Sequence, residues 1–168
     1  MSYFPYNPEL AGAVVTRFAQ VAGGGIDKLK IVKLVYLLDR TAIIEEGFAI
    51  VGGKYVSMPH GPVISNFLDD LNRKRWQGIN LRDNWVSLVG QGESLVLISE
   101  WVDELILRVY EQYGKMAPGD LIHLLHRSCE EWKDPGKSSQ PILFQSIPGC
   151  DAVVVEAYAR ELEMMAKL

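Results

Sequence analysis

The run KLKIVKLVYLLDRTAIIEE, residues 28–46, constrains the fold more than any other part of the sequence. Asp27 precedes the run as a candidate N-cap, and Gly47 follows it as a candidate C-cap. Apolar residues occupy nearly every position from Leu29 to Leu38. A helix that is apolar all round is buried on several sides. We therefore expect this helix to form the centre of the core, with the rest of the chain packed around it.

The flanking sequence predicts further helices with identifiable start signals. They are expected to begin at Asn7-Pro8-Glu9, at Gly61-Pro62, after Ser99, at Pro118 and after Asp151. Residues 48–58 indicate a short hairpin or two extended pieces, and residues 85–98 indicate a β-hairpin around Gly90-Gln91-Gly92. The prediction is a mainly α fold with a small β element (α+β): one compact helical domain over residues 1–168 around a buried central helix, with a final helix over about 151–167.

Composition and charge restrict the classes of function. Of 168 residues, 48% are hydrophobic and 23% charged, which is typical of a globular domain. A net charge of −4 argues against strong nucleic-acid binding, and disfavours DNA-binding autoregulation although Arg73-Lys74-Arg75 forms a small basic spot. The two cysteines lack paired CxxC spacing, and we find neither a signal peptide nor a membrane span, so a cytoplasmic protein is expected.

His123, His126 and Cys129 are spaced three residues apart on one predicted helix. Together with His60 they could serve a metal-dependent hydrolase, and Cys129 could pair with a histidine as a nucleophile. The alternative is a buried, hydrogen-bonded His126 beside a small core thiol, and we favour it because free cysteine is usually buried. No catalytic residue, metal site or cofactor is predicted. The acidic pairs Asp69-Asp70 and Glu130-Glu131 are expected on the solvated surface.

Lys30, Lys33 and Tyr36 interrupt the apolar helix with polar groups. A buried ammonium is costly unless it finds a partner. Each lysine must therefore snorkel to solvent, find a carboxylate or carbonyl, or contact another protein. Either their stems cover the core with paired heads, or this face belongs to an interaction groove.

The segment KYVSMPHGPVIS, residues 54–65, places His60 between two prolines. Pro59 and Pro62 restrict the backbone, and Gly61 permits a positive φ. We expect a rigid joint between a strand and a helix that begins at Gly61-Pro62. A histidine ahead of the positive end of a helix would be neutral, so His60 is predicted to be structural rather than catalytic.

Three blocks of this sequence resemble the Panacea domain, the SocA-like antitoxin family. The first is KIVKLVY, which matches a Lys-x-x-Lys-Leu-x-Tyr helix through Lys30, Lys33, Leu34 and Tyr36. The second matches a Gly-x-x-Ile-x-Gly segment followed by Tyr-Val and Gly-Pro-Val, and contains Tyr55, Val56, His60, Gly61, Pro62 and Val63. The third contains His126 and Trp132. Together the blocks cover about residues 8–135 in the family's order.

The resemblance implies a compact α-helical domain with a small β element and a function without catalysis. It implies an antitoxin that binds and silences a partner toxin, and the founding type delivers its toxin to an ATP-dependent protease. Related domains also occur in phage-associated proteins. The resemblance identifies a set of candidates for partner binding or for structural support of the surface: Lys30, Lys33, Tyr36, Tyr55, His60, Gly61, Pro62, His126 and Trp132.

Aromatic residues are the usual anchors of a protein–protein interface. The candidates for exposed anchors are Tyr3, Phe4, Tyr6, Trp76 and Trp85, with simple core packing as the alternative.

Overall fold

The computed structural model describes residues 3–90 and 97–168. Within these residues the helices are α1 Pro8–Val21, α2 Lys28–Glu46, α3 Ser65–Asn72, α4 Glu100–Val109, α5 Pro118–Ser128 and α6 Ala152–Ala166. The strands are β1 Gly25–Asp27, β2 Tyr55–Met58, β3 Gly61–Ile64, β4 Ile79–Arg82, β5 Trp85–Leu88 and β6 Gln140–Pro141. They form two antiparallel sheets, in the orders β1-β5-β4 and β3-β2-β6. The fold is α+β and mainly helical, as predicted.

Helix α2 lies at the centre of the core and is covered by α1, α4, α5 and β3. Its first turn is capped by Asp27, whose carboxylate accepts from Lys30 N at 3.1 Å. Its last turn ends at Gly47, which is left-handed with φ +83°. Both predicted caps are confirmed.

The other predicted helix starts follow the same chemistry. Asn7 caps α1 through Leu10 N, and Ser99 caps α4 through Val102 N. Asp151 caps α6, and Pro118 is the first residue of α5. After Val109 the chain continues as one π-helical turn, Tyr110–Gly114. No helix in the described ranges has the length and apolar content needed to cross a membrane.

The predicted helix start at Gly61-Pro62 is wrong. Pro59 and His60 form a two-residue turn, and the chain reverses into β3, where Pro62 lies opposite Ser57 of β2. All four residues of β3 are buried, and α2 and α5 pack on this strand. Burial against these helices favours an extended, apolar segment over a helical turn. The helix begins only at Ser65.

The predicted hairpins also differ from the observed ones. Residues 48–54 are loop, and only 55–58 of the first segment form a strand. In the second segment β5 forms as expected, but it pairs with β4 and with β1. Residues 91–96, which the prediction assigned to the turn and to most of the second strand of that hairpin, lie outside the described residues.

Helix α6 packs differently from its expected stripe. The sequence suggests that Val154, Tyr158, Leu162 and Met165 form its apolar face. These side chains retain 40%, 42%, 37% and 61% of their exposure, and the buried residues of the helix are Val155 and Ala159. The helix therefore buries Val155 and Ala159 fully, whereas Tyr158 stays half-exposed at the edge of the contact, where its ring packs on Phe48 with centroids 5.8 Å apart.

Candidate functional site

A buried ion pair joins α2 to the segment that follows α5. Glu131 Oε1 accepts from the Tyr36 hydroxyl at 2.8 Å and from Arg40 Nε at 2.6 Å. Arg40 also reaches the second carboxylate oxygen, at 3.3 Å. Burial, followed by the Glu131 charge, raises the pKa of Tyr36 well above its ordinary value. This phenol therefore stays protonated and donates to the carboxylate.

A second buried carboxylate, Asp39, holds the loop before β2. It accepts from the backbone N–H groups of Ile50, Val51 and Gly52 at 2.8–3.0 Å and from the Tyr55 hydroxyl at 2.9 Å. Asp39 has no exposed surface, and this burial raises its pKa to about 6 although the four hydrogen bonds favour the charged form. The carboxylate supplies acceptors that the loop backbone would otherwise lack.

The two carboxylate clusters touch through their tyrosines. The rings of Tyr36 and Tyr55 are perpendicular, with centroids 5.8 Å apart. This edge-to-face geometry is favoured by the ring quadrupoles. The central helix is thereby tied to the loop before β2 and to the end of α5 through one continuous polar and aromatic network inside the core.

The expectation that both acidic pairs lie on the solvated surface is wrong for one member of each. Glu131 is 5% exposed and Asp70 is 9% exposed. Asp70 accepts from the Tyr6 hydroxyl at 2.8 Å. Each of these two carboxylates is buried because it finds a phenol and a nearby arginine, Arg40 in one case and Arg75 in the other.

Lys33 and Lys30 both direct their ammonium groups to backbone carbonyls. Lys33 is 2% exposed, and its Nζ donates to Pro62 O at 3.3 Å. Burial lowers the pKa of Lys33 to about 8. Lys30 is half-buried and donates to Gly114 O at 2.9 Å. The buried Lys33 therefore contacts the β2–β3 hairpin from inside the protein, whereas Lys30 closes the π-helical turn near the surface.

His126 and Trp132 form a stacked pair at the end of α5. Their ring centroids are 4.0 Å apart with an interplanar angle of 12°. Trp132 Nε1 donates to Met58 O at 2.8 Å, which attaches the pair to β2. The predicted hydrogen bond of a buried His126 is not found for Nε2, which is buried without a partner among the described residues. Burial, and then the charge of Lys33, lower the pKa of His126.

The remaining candidates for chemistry differ in how far their side chains are exposed to solvent. Cys129 is 1% exposed, and burial raises the pKa of its thiol to about 12. His60 and His123 are exposed. Across residues 3–90 and 97–168 no group of three or more histidine, cysteine, aspartate or glutamate side chains is placed to hold a metal ion. A buried thiol with a raised pKa is a poor nucleophile.

His60 occupies the tip of the β2–β3 hairpin, not the start of a helix. No helix begins beside His60, so the helix dipole that was expected to act on this side chain is absent. Gly61 has φ +109°, which confirms the predicted positive φ. A Cβ built on Gly61 would lie 3.4 Å from Lys33 Nζ, so the backbone approaches the buried lysine closely here.

At the surface, Lys30 and Trp85 line one cleft of about 380 Å³ between β1, β5 and the π-helical turn. Trp85 is 53% exposed, and its indole lies over Gly25, where a Cβ would come within 2.5 Å of Nε1. Tyr110 and Pro118 complete the apolar walls. Among the other predicted anchors, Tyr3 is exposed, Tyr6 and Trp76 are half-buried, and Phe4 is a core residue at 1% exposure.

The described geometry coincides with the region that a protein-family comparison identifies. The family model described as "Antitoxin SocA-like, Panacea domain" matches residues 31–133. This chain belongs to that family. The matched region extends from within α2 to Trp132 and Lys133, and so contains both buried carboxylate clusters and the His126–Trp132 stack. No curated protein and no solved structure matched the chain.

Within this Panacea domain, three residues of the buried network escaped sequence reasoning: Asp39, Arg40 and Glu131. Asp39 and Arg40 follow directly on the densely apolar stretch of α2. Their position offered the same signal as the lysines, since a charge inside a buried helix requires a partner. Glu131 offered no such signal, because it lies beyond the end of α5 at Ser128.

Proposed function

We propose that this chain is an antitoxin that neutralises a partner toxin by direct protein–protein contact in the cytoplasm. The observation that carries the proposal is the match of the SocA-like Panacea domain over residues 31–133. Three polar residues of the motifs that resemble the Panacea family support membership of that family by stabilising the domain from inside. They are the buried side chains of Tyr36, Tyr55 and Lys33. We propose further that residues 1–168 act as one such domain.

The mechanism in this proposal is binding without turnover. The thiol of Cys129 is buried inside the core, while His60 and His123 are exposed. A hydrolase would need a nucleophile and a base within hydrogen-bond reach of each other. The chemistry of the described residues therefore favours a rigid scaffold that presents a surface to the toxin.

The surface we assign to the toxin is the Trp85 cleft. A half-exposed tryptophan beside an apolar depression is a frequent hot spot of protein–protein binding. Lys30 lies at the rim of this cleft and can add a charged contact. The cleft rests on β1 and β5, which pair with each other and pack against α1, so its shape is fixed before binding. A preformed cleft lowers the entropic cost of association.

The test is co-expression with the protein encoded by the neighbouring reading frame. The antitoxin hypothesis predicts that this chain restores growth to cells producing that protein and that the two co-purify. Rescue in cells that lack ATP-dependent proteases would support occlusion of the toxin, whereas loss of rescue would assign a delivery role. Absence of both rescue and co-purification would refute the proposal.

The Trp85 cleft is tested by Trp85→Ala with Leu107→Ala as the control. Trp85 is 53% exposed, and Leu107 on α4 is 40% exposed. Trp85→Ala should abolish capture of the toxin with an unchanged melting temperature, and Leu107→Ala should retain capture. Equal capture by both variants would move the toxin site away from this cleft.

A further inference from the structure

Helix α6 presents an unusually apolar outer surface. Val153 retains 80% of its exposure and Met164 63%. The helix follows the Panacea match, which ends at residue 133. Large exposed apolar patches on a folded protein usually mark an interaction site. The question is therefore which molecule covers this face.

Two of the most exposed apolar side chains of α6 share one stripe with Ala157. At 100° per residue, Val153, Ala157 and Met164 lie within about 40° of one another on the helical wheel. This stripe points away from Val155 and Ala159, which attach the helix to the body. A stripe with spacings of four and seven residues is the seam found between two packed helices. The outer face of α6 thus has the pattern of one half of a helix pair.

The charged side chains beside this stripe are complementary to the same side chains of an antiparallel second copy. Glu156, Arg160, Glu163 and Lys167 follow one flank of the helix, and their charges alternate in sign at every step. Within the chain, Arg160 Nη2 contacts Glu156 Oε1 at 2.7 Å. Glu163 accepts from the backbone of Tyr3 at 3.1 Å and keeps further acceptor capacity. An antiparallel copy of this flank would place positive charges opposite negative ones.

We propose that the outer face of α6 pairs with α6 of a second copy of this chain, in an antiparallel two-fold dimer. A single register places Glu156 opposite Lys167 of the second copy and Arg160 opposite Glu163 of the second copy. The same register sets the small Ala157 beside Met164 of the other helix. A two-fold interface requires such self-complementarity, because the same patch is contributed by both chains.

The register also predicts one unfavourable contact. Glu161 lies on the opposite flank of the stripe and is exposed. In the antiparallel pair the two copies of Glu161 come close to the two-fold axis, where their like charges repel. Glu161→Gln should therefore tighten the dimer, an effect that a partner unrelated to this chain would not produce in the isolated protein.

Sedimentation equilibrium of the purified full chain, without toxin, tests the proposal. The expected mass is twice 18.8 kDa at high concentration and falls towards 18.8 kDa on dilution. Met164→Glu should give a monomer with unchanged circular dichroism. Leu107→Glu is the matched control, since Leu107 is 40% exposed on α4, and it should remain a dimer.

A charge exchange tests the register. Arg160→Glu places two carboxylates opposite each other and should weaken the dimer by about tenfold. Adding Glu163→Arg to the same chain restores the opposite pairing and should recover most of the loss. A wild-type chain that is monomeric at every concentration would overturn the proposal. So would a dimer that survives Met164→Glu.

Discussion

The hydroxyl of Tyr36 donates to Glu131 Oε1 across 2.8 Å and joins residues 95 positions apart in the sequence. Arg40 shares the same carboxylate, so that a phenol and a guanidinium satisfy one buried charge. The Tyr36 position belongs to the motif by which the sequence resembles the Panacea family. Its side chain is 1% exposed and lies in the core, out of reach of a partner protein.

Tyr36→Phe removes this hydrogen bond and keeps the ring. The free energy of unfolding should fall by roughly 1–3 kcal/mol, because Glu131 loses a donor inside the core. Urea denaturation monitored by circular dichroism measures the change. Tyr3→Phe serves as the control, since its ring is 46% exposed. If the two variants lose the same stability, the Tyr36–Glu131 bond does not stabilise the fold.

Asp39→Asn should be more damaging than Tyr36→Phe. The amide would turn a donor towards backbone N–H groups that now donate to Asp39, and the charge that attracts them would be lost. We expect a loss of roughly 2–4 kcal/mol, since hydrogen bonds to a charged group are the stronger kind. Asp69→Asn, at an exposed position, should change stability by less than about 0.5 kcal/mol. Comparable effects at the two positions would contradict the assigned role of Asp39.

The buried Lys33 should give the protein a distinctive dependence on alkaline pH. Its pKa is about 8 in the folded protein and 10.5 ordinarily, so between these values the unfolded chain binds more protons. Stability therefore rises with pH over this window, by up to about 3 kcal/mol from this group. Lys33→Met should remove the rise and should stabilise the protein at pH 7.

The measurement is urea denaturation at pH 7 to 10.5 for the wild type, Lys33→Met and Lys30→Met. Lys30→Met is the control, because its ammonium lies nearer the surface. A second readout is the pKa of His126 by NMR, which should increase in Lys33→Met since the lysine charge lowers it. A rise in stability with pH that persists in Lys33→Met would assign the effect to another group.

Gly61→Val should be severe and Pro62→Ala mild. Gly61 has φ +109°, a conformation that a β-branched residue does not adopt without strain of about 1–3 kcal/mol. Pro62 uses its carbonyl to accept from Lys33, and alanine keeps that carbonyl. Thermal unfolding of both variants provides the comparison. A mild Gly61→Val would mean that the hairpin relaxes and that its close approach to Lys33 is not needed for stability.

How far the sequence predicts the site differs between residues. Lys30, Lys33 and Tyr36 stand out within α2 because polar groups on a buried helix need partners. The partners themselves, Gly114, Pro62 and Glu131, were not predictable. They lie 29 to 95 positions away in the sequence, and helical or strand periodicity carries no information over that distance.

The sequence by itself determined the local structure: the buried central helix, its caps at Asp27 and Gly47, and the starts of α1, α4, α5 and α6. These depend on side chains that satisfy backbone groups within a few residues. Tertiary structure alone decided that Gly61–Ile64 is a strand, that Glu131 is buried, and that α6 is buried through Val155 and Ala159. Each of these depends on which distant surface removes the segment from water, and that surface exists only once the chain has folded.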